Sequence, residues 1–334
     1  MDRPRVLISV PITFRGHAPA RERLEQAGCE VVEVPAGLQN TAAVREALEG
    51  IFAVLAGMEP LQADSMAEAT DLRIIARNGV GYDSIDLEYC TRRGIIVTNT
   101  PGALSDAVAE ETIGLMLALT RHITAGDRSV KSGGYEVPFG EDLAAMTLGV
   151  IGGGSIGCEV IARALAFKMR VLVCDPYADA GRIRGMGASL VSLDELLPAA
   201  DIVTLHLPLN EASRGMVNAG FLQRMKPGSY LINTARGAVV DEAALRDALL
   251  DGQLAGAGLD VQVSEPATGL SRALLELDNV VGMPHAGSKT LTTRERMSMW
   301  AAESIIDVLA GRQPEHVVNR EVLERLSLQP RGGN

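Results

Sequence analysis

The segment Val150-Ile151-Gly152-Gly153-Gly154-Ser155-Ile156-Gly157 sets the pattern GxGxxG between an apolar run and a helical pattern. Few short segments constrain a fold more. Gly152 permits a tight turn, Gly154 lets a pyrophosphate approach the backbone, and Gly157 lets strand and helix pack closely at the positive helix end. The spacing predicts a βαβ unit that binds a dinucleotide. Asp175 lies 18 residues beyond Gly157, at the end of the next apolar run. A carboxylate there can accept hydrogen bonds from an adenosine ribose and would repel a 2′-phosphate, which favours NAD over NADP as cofactor.

Short β-branched runs alternate with helical patterns on both sides of the glycine loop. Before it they fall at 6–10, 31–34, 52–55, 73–76 and 95–97; from it onward at 148–151, 171–174, 202–206, 230–233, 258–261 and 279–282. Strands alternating with helices imply an α/β fold with two doubly wound parallel-sheet domains. A helical pattern opening near Ser105, capped by Ser105 or Asp106, is too densely apolar for one solvent-facing stripe and is expected to be buried at a domain or subunit boundary. The pattern is helical again from Thr290 to Gly311, and Pro314 to Asn319 can complete the first domain if the chain crosses back. The expected domains are 1–101 with 289–334, and 102–288.

Composition fits and excludes. Apolar residues make up 47% of 334 but aromatics only 3%, so Ala, Val, Leu and Ile must fill the core, as they do in buried parallel sheets. A net charge of −11 argues against nucleic acid as a general partner, which needs a basic face. No apolar run is long enough for a membrane span. Cys29, Cys90, Cys158 and Cys174 lack CxxC spacing, so no metal is expected and reduced, buried thiols in a cytoplasmic protein are the simplest account. The start of the chain lacks a secretory signal.

Three ionisable residues follow later strands of the second series, where ligands of such folds bind. Arg236 precedes Gly237 and can clamp a carboxylate with two prongs; its bland alternative is a surface ion pair. His285 stands in Met283-Pro284-His285-Ala286-Gly287, with Glu265 20 residues earlier. A carboxylate beside an imidazole fixes its tautomer and suits proton exchange with a carbonyl oxygen. Alone, His285 would be a packed loop residue; beside a nucleotide fold, the acid–base role is the better account.

These residues resemble the NAD-dependent D-isomer-specific 2-hydroxyacid dehydrogenases, nearer the D-3-phosphoglycerate group. The similar segments run nearly end to end: Arg77-Asn78-Gly79-Val80-Gly81-Tyr82-Asp83, Asn99-Thr100-Pro101-Gly102, the glycine loop, Asp175-Pro176-Tyr177, His206-Leu207-Pro208-Leu209, Asn233-Thr234-Ala235-Arg236-Gly237, Leu259-Asp260-Val261 through Glu265-Pro266, and Pro284-His285-Ala286-Gly287. The resemblance implies a flavodoxin-like substrate domain and a Rossmann NAD-binding domain. It implies that Arg236 binds the substrate carboxylate and carbonyl, that His285 is the general acid–base and that Glu265 supports it. Arg77, Asn78, Gly79 and Val80 would bind substrate, with Arg77 for a substrate phosphate. Thr100, Gly152, Gly154, Ser155, Ile156, Gly157, Asp175, His206, Leu207, Pro208, Ser213, Thr234, Ala235, Arg236, Asp260, His285 and Gly287 would line the cofactor, Asp260 at the nicotinamide carboxamide.

The expected reaction is reversible hydride transfer between NAD and a small anionic D-2-hydroxy acid, foremost 3-phosphoglycerate to 3-phosphohydroxypyruvate, a step of serine biosynthesis. A glyoxylate, hydroxypyruvate or other 2-ketoacid reductase is the alternative, and an NAD-binding corepressor is an alternative of another class. Lys289 could attract an anionic substrate or simply be solvated at a helix start. A serine-sensing C-terminal domain is not expected. A homodimer is, through the 105–120 helix and the Gly133–Asp142 arm.

Overall fold

Runs of Val, Ile and Leu bounded by glycine form two separate sheets in the computed structural model, which describes residues 3–14, 16–34 and 38–330. The chain divides into two compact units, residues 1–104 with 289–334, and residues 105–288.

In the first unit, β1 (Arg5–Ile8), β2 (Glu30–Glu33), β3 (Ala53–Ala56), β4 (Ile74–Arg77) and β5 (Ile96–Thr98) order as β2-β1-β3-β4-β5, all parallel. Alternate side chains serve two cores. Val6, Ile8, Leu55 and Ile74 pack on one face with Ala301, Ala302 and Ile305 of the returning Leu291–Leu309 helix. Leu7, Val54, Ile75 and Val97 pack on the other. Burial on both faces is why these strands read as continuous apolar runs; each fully buried Ile or Leu contributes about 2 kcal/mol. The helix begins where the Thr290 hydroxyl accepts from the Thr293 N–H. After it the chain closes on the free edge of β5. Val318 N–H donates to Val97 O, and the Asn319 amide bonds both Val97 N–H and Ile95 O.

In the second unit, β6 (Thr147–Ile151), β7 (Arg170–Cys174), β8 (Ser189–Leu190), β9 (Ile202–Leu205), β10 (Ser229–Asn233), β11 (Leu254–Leu259) and β12 (Val280–Gly282) order as β12-β11-β10-β9-β6-β7-β8, again all parallel. The order reverses between β6 and β9, which creates the crevice typical of ligand sites. The Ser105–Thr120 helix buries most of its faces. It lies close on β11, where a side chain on Gly258 would meet Leu115 Cβ at 3.1 Å.

Two expectations shift. β8, only two residues long, was not anticipated, and β11 starts at Leu254 and ends before Asp260. Gly256 and Gly258 dilute its pattern while serving the close helix contact. Cys29, Cys90 and Cys158 are buried and Cys174 is half-buried; all four are free. Burial pushes the Cys90 thiol up to about 12. Among the described residues no helix is long and apolar enough to cross a membrane, and no group of three or more potential metal ligands occurs.

Candidate active site

β6 ends at Ile151 and the next residue turns sharply. Gly152 has φ +101°, and a Cβ there would lie 2.3 Å from the carbonyl oxygen of His206, the residue after β9. Gly157 is equally constrained, since its Cβ would stand 2.0 Å from Gly152 O. Gly154 differs. A Cβ on it meets nothing within 4 Å, so the chain itself does not demand glycine there, and the requirement falls to whatever occupies that space. Gly154 also begins the Ser155–Ala166 helix without a side-chain cap. The first helical N–H groups, from Ser155 onward, therefore remain available to an anion. The Asp175 carboxylate accepts from Gly153 N–H at 2.8 Å and from Tyr177 N–H at 2.8 Å. Both oxygens are thereby oriented, with lone pairs left for ribose hydroxyls. This loop fits a dinucleotide.

Beyond β9, the His206 imidazole joins a chain of hydroxyls: Nε2 lies 2.9 Å from Thr204 Oγ1, Nδ1 lies 3.5 Å from Thr234 Oγ1, and Thr234 meets Thr112 at 3.2 Å. Desolvation lowers the His206 pKa to about 3, so the ring is neutral near pH 7. Ser213 closes the following turn through Pro208 O at 2.7 Å, with half-buried Leu207 and exposed Pro208 on the rim.

β10 delivers Thr234, Ala235 and Arg236. Asn233 shapes their turn, accepting from Ala235 N–H at 3.0 Å and donating to Arg236 O at 2.9 Å. The Arg236 Nη1 donates to Ala235 O at 2.7 Å. β11 and β12, neighbours in the sheet, deliver Glu265 and His285. His285 Nδ1 lies 2.7 Å from Glu265 Oε2. Burial pushes the Glu265 carboxyl up, but the His285 hydrogen bond and charge, the Gln262 N–H and the Arg236 charge outweigh it, so the net shift is down.

His285 itself has φ +51°, a strained conformation for a residue with a side chain. Asp260 holds it there. Its backbone carbonyl accepts from His285 N–H at 2.8 Å, and its carboxylate accepts from Ala286 N–H at 2.6 Å and Gly287 N–H at 3.1 Å. Asp260 was singled out for a cofactor amide; its grip on this turn, like the part of Asn233, was not anticipated. An Asn or Asp closing an apolar run is the only trace either leaves in the sequence.

The remaining candidates belong to the first unit. Arg77 ends β4 and is 7% exposed. Its Nη1 donates to Asn78 O, and its Nη2 lies 2.9 Å from Met58 Sδ. Gly79, at φ +152°, leaves room for that guanidinium, which a Cβ would approach to 2.8 Å. Asn78 N–H donates to Ala56 O, Val80 O accepts from the Asn99 amide at 2.8 Å, and Thr100 N–H donates to Gly79 O at 3.0 Å. The Thr100 hydroxyl is buried with no hydrogen-bond partner among the described residues.

Residues 113–287 match the family described as D-isomer specific 2-hydroxyacid dehydrogenase, NAD binding domain. The chain belongs to this family. A D-3-phosphoglycerate dehydrogenase of Archaeoglobus fulgidus is 38% identical over 96% of this chain, which spans 60% of that relative's length. A glyoxylate reductase of Korarchaeum cryptofilum is also 38% identical, over 96% of this chain and 98% of its own. The crystal structure of D-lactate dehydrogenase from Aquifex aeolicus complexed with NAD and lactic acid matches with a TM-score of 0.81 and 29% identity, covering 96% of this chain and 98% of the other. The residues matched to the NAD-binding domain of that family, 113–287, all lie in the second unit.

Proposed function

We propose that the protein interconverts a small D-2-hydroxy acid and its 2-oxo acid. The single observation that carries this is the His285–Glu265 pair at 2.7 Å at adjoining strand ends of the NAD-binding unit. NAD, when bound, supplies the hydride acceptor, with its pyrophosphate at residues 152–157 and its ribose at Asp175. Glu265 occupies His285 Nδ1 and so leaves Nε2 as the nitrogen that takes the hydroxyl proton, or returns it to the carbonyl oxygen in reduction. Arg236, its turn fixed by Asn233, holds the carboxylate and polarises the carbonyl. In the first unit the N–H groups of Asn78 and Gly79 are already donated to Ala56 O and Arg77 O, so their backbone is not assigned to the substrate.

For the substrate, we favour an unphosphorylated 2-oxo acid of the hydroxypyruvate or glyoxylate kind. Arg77 was the residue that pointed to 3-phosphoglycerate, and it is only 7% exposed, its guanidinium turned onto Asn78 O and onto Met58 Sδ beyond β3. That leaves little of it for a phosphate dianion. The similarity to the phosphoglycerate dehydrogenase of Archaeoglobus keeps 3-phosphoglycerate as the second reading. A panel of 2-oxo and 2-hydroxy acids with NAD(H) and NADP(H) decides: efficient hydroxypyruvate reduction without NADH formation from 3-phosphoglycerate is expected, and the reverse would reinstate the second reading.

We also infer a homodimer. The Ile123–Lys131 helix buries no residue. It exposes Ile123 and Val130 beside an arm with Tyr135 93% exposed, Val137 half exposed and Phe139 fully exposed, a cluster of exposed apolar side chains of the kind that marks contacts between proteins. Sedimentation of the native chain against Phe139→Asp tests this; an unchanged dimer in the variant, or a wild-type monomer, counts against it. The free thiols fit a cytoplasmic location.

A further inference from the structure

Glu242, first residue of the Glu242–Leu250 helix, is a carboxylate only 8% exposed to which the chemistry above gives no part. Its Oε1 accepts from Val263 N–H at 2.9 Å, and its Oε2 from the Ser271 hydroxyl at 2.7 Å. Ser271 Oγ in turn accepts from Ser264 N–H at 3.2 Å. The two residues before Glu265 thus hang from Glu242, one directly and one through a hydroxyl.

Ser264 Oγ also accepts from Thr268 N–H at 2.8 Å and the Gln262 amide donates to Leu259 O at 3.1 Å, but for the Val263 N–H the Glu242 carboxylate is the acceptor. Val263 is 58% exposed, and a cavity of about 400 Å³ lined by Val240, Ala243, Val263, Ser264, Leu270 and Ser271 opens between the loop and the helix start. The same peptide also meets the Arg236 turn, because a Cβ on Gly237 would lie 2.1 Å from the Gln262 carbonyl. Two candidate catalytic loops therefore converge on the segment that Glu242 grips. Its charge is balanced by the positive helix end and two donors. A well-packed apolar residue of similar size is often as stabilising as a compensated buried charge, so stability alone does not account for a carboxylate here.

We propose that Glu242 is a positioning residue: by fixing Val263 and Ser264 it sets the Glu265 carboxylate against His285 and keeps that loop in register with the Arg236 turn. Only the kinetic part of the test rests on the dehydrogenase reading above. In ¹H NMR spectra of the full chain, the proton shared by His285 Nδ1 and Glu265 gives a downfield imidazole resonance, assigned by its loss in His285→Asn. Glu242→Ala is expected to abolish that resonance and to lower kcat for 2-oxo acid reduction about tenfold, with KM for NADH unchanged. Glu242→Gln, which keeps an acceptor for Val263 N–H, restores both. Ser271→Ala gives a smaller version of the same loss and decides the matter if Glu242→Ala does not fold. A lowered Tm with the resonance intact in these variants overturns the proposal and makes Glu242 a stability element. If no 2-oxo acid is reduced at all, the dehydrogenase reading fails while the resonance still tests the role of Glu242.

Discussion

His285 Nδ1 and Glu265 Oε2 stand 2.7 Å apart although they leave different strands, because β11 and β12 are parallel neighbours and both loops emerge at the same edge. The pairing makes their variants unequal. His285→Ala should lower kcat by about 10³-fold by removing the proton carrier, whereas Glu265→Gln, which only disorients it, should cost about 10–100-fold. Steady-state kinetics of 2-oxo acid reduction with saturating NADH measure both; equal losses would contradict this division of roles.

Glu265 also predicts a pH dependence of stability. Its carboxyl pKa is depressed in the folded chain, so its contribution is fully present above the unfolded value of about 4.3 and is lost as pH falls through the lower folded value. Its partial exposure keeps the effect modest. Calorimetric Tm values from pH 7 to pH 3 should fall less steeply below about pH 4.3 in Glu265→Gln than in the wild type.

The three loop glycines should separate. Gly152→Ala meets His206 O at 2.3 Å and Gly157→Ala meets Gly152 O at 2.0 Å, so each should cost on the order of 2 kcal/mol or more and lower Tm. Gly154→Ala should melt like the wild type but bind NAD about tenfold more weakly. Differential scanning fluorimetry with and without NAD distinguishes the two behaviours.

Asp175→Ala removes the carboxylate that faces the ribose and the acceptor for two backbone N–H groups. We expect kcat/KM for NADH to fall about tenfold or more while that for NADPH holds or rises, as repulsion of the 2′-phosphate disappears. The ratio of the two is the measurement.

Much of the fold was legible because β-branched runs ending in glycine or a polar residue mark buried parallel strands. β8 escaped because two residues carry no period, and the early part of β11 because its glycines serve the helix above it. Arg236, Glu265 and His285 could be picked out as ionisable residues after strands. What the sequence does not encode locally is how backbone groups are engaged: the hold of Asp260 on Ala286 and Gly287, the tie from Glu242 to Val263, and the turn of Arg77 onto Asn78. Each joins a side chain to a peptide group distant in sequence or turned by the local backbone, and neither spacing nor composition reports it.

The open space around Gly154 has a consequence for how the sequence can drift. Substitutions at Gly152 and Gly157 are policed by the chain's own carbonyl oxygens, so a library screened only for folded, soluble protein should keep both. The same library should tolerate many residues at 154, and the glycine should return there only when survival depends on turnover. The contrast between two such screens would separate, within one six-residue motif, the positions required by architecture from the one held open for a guest.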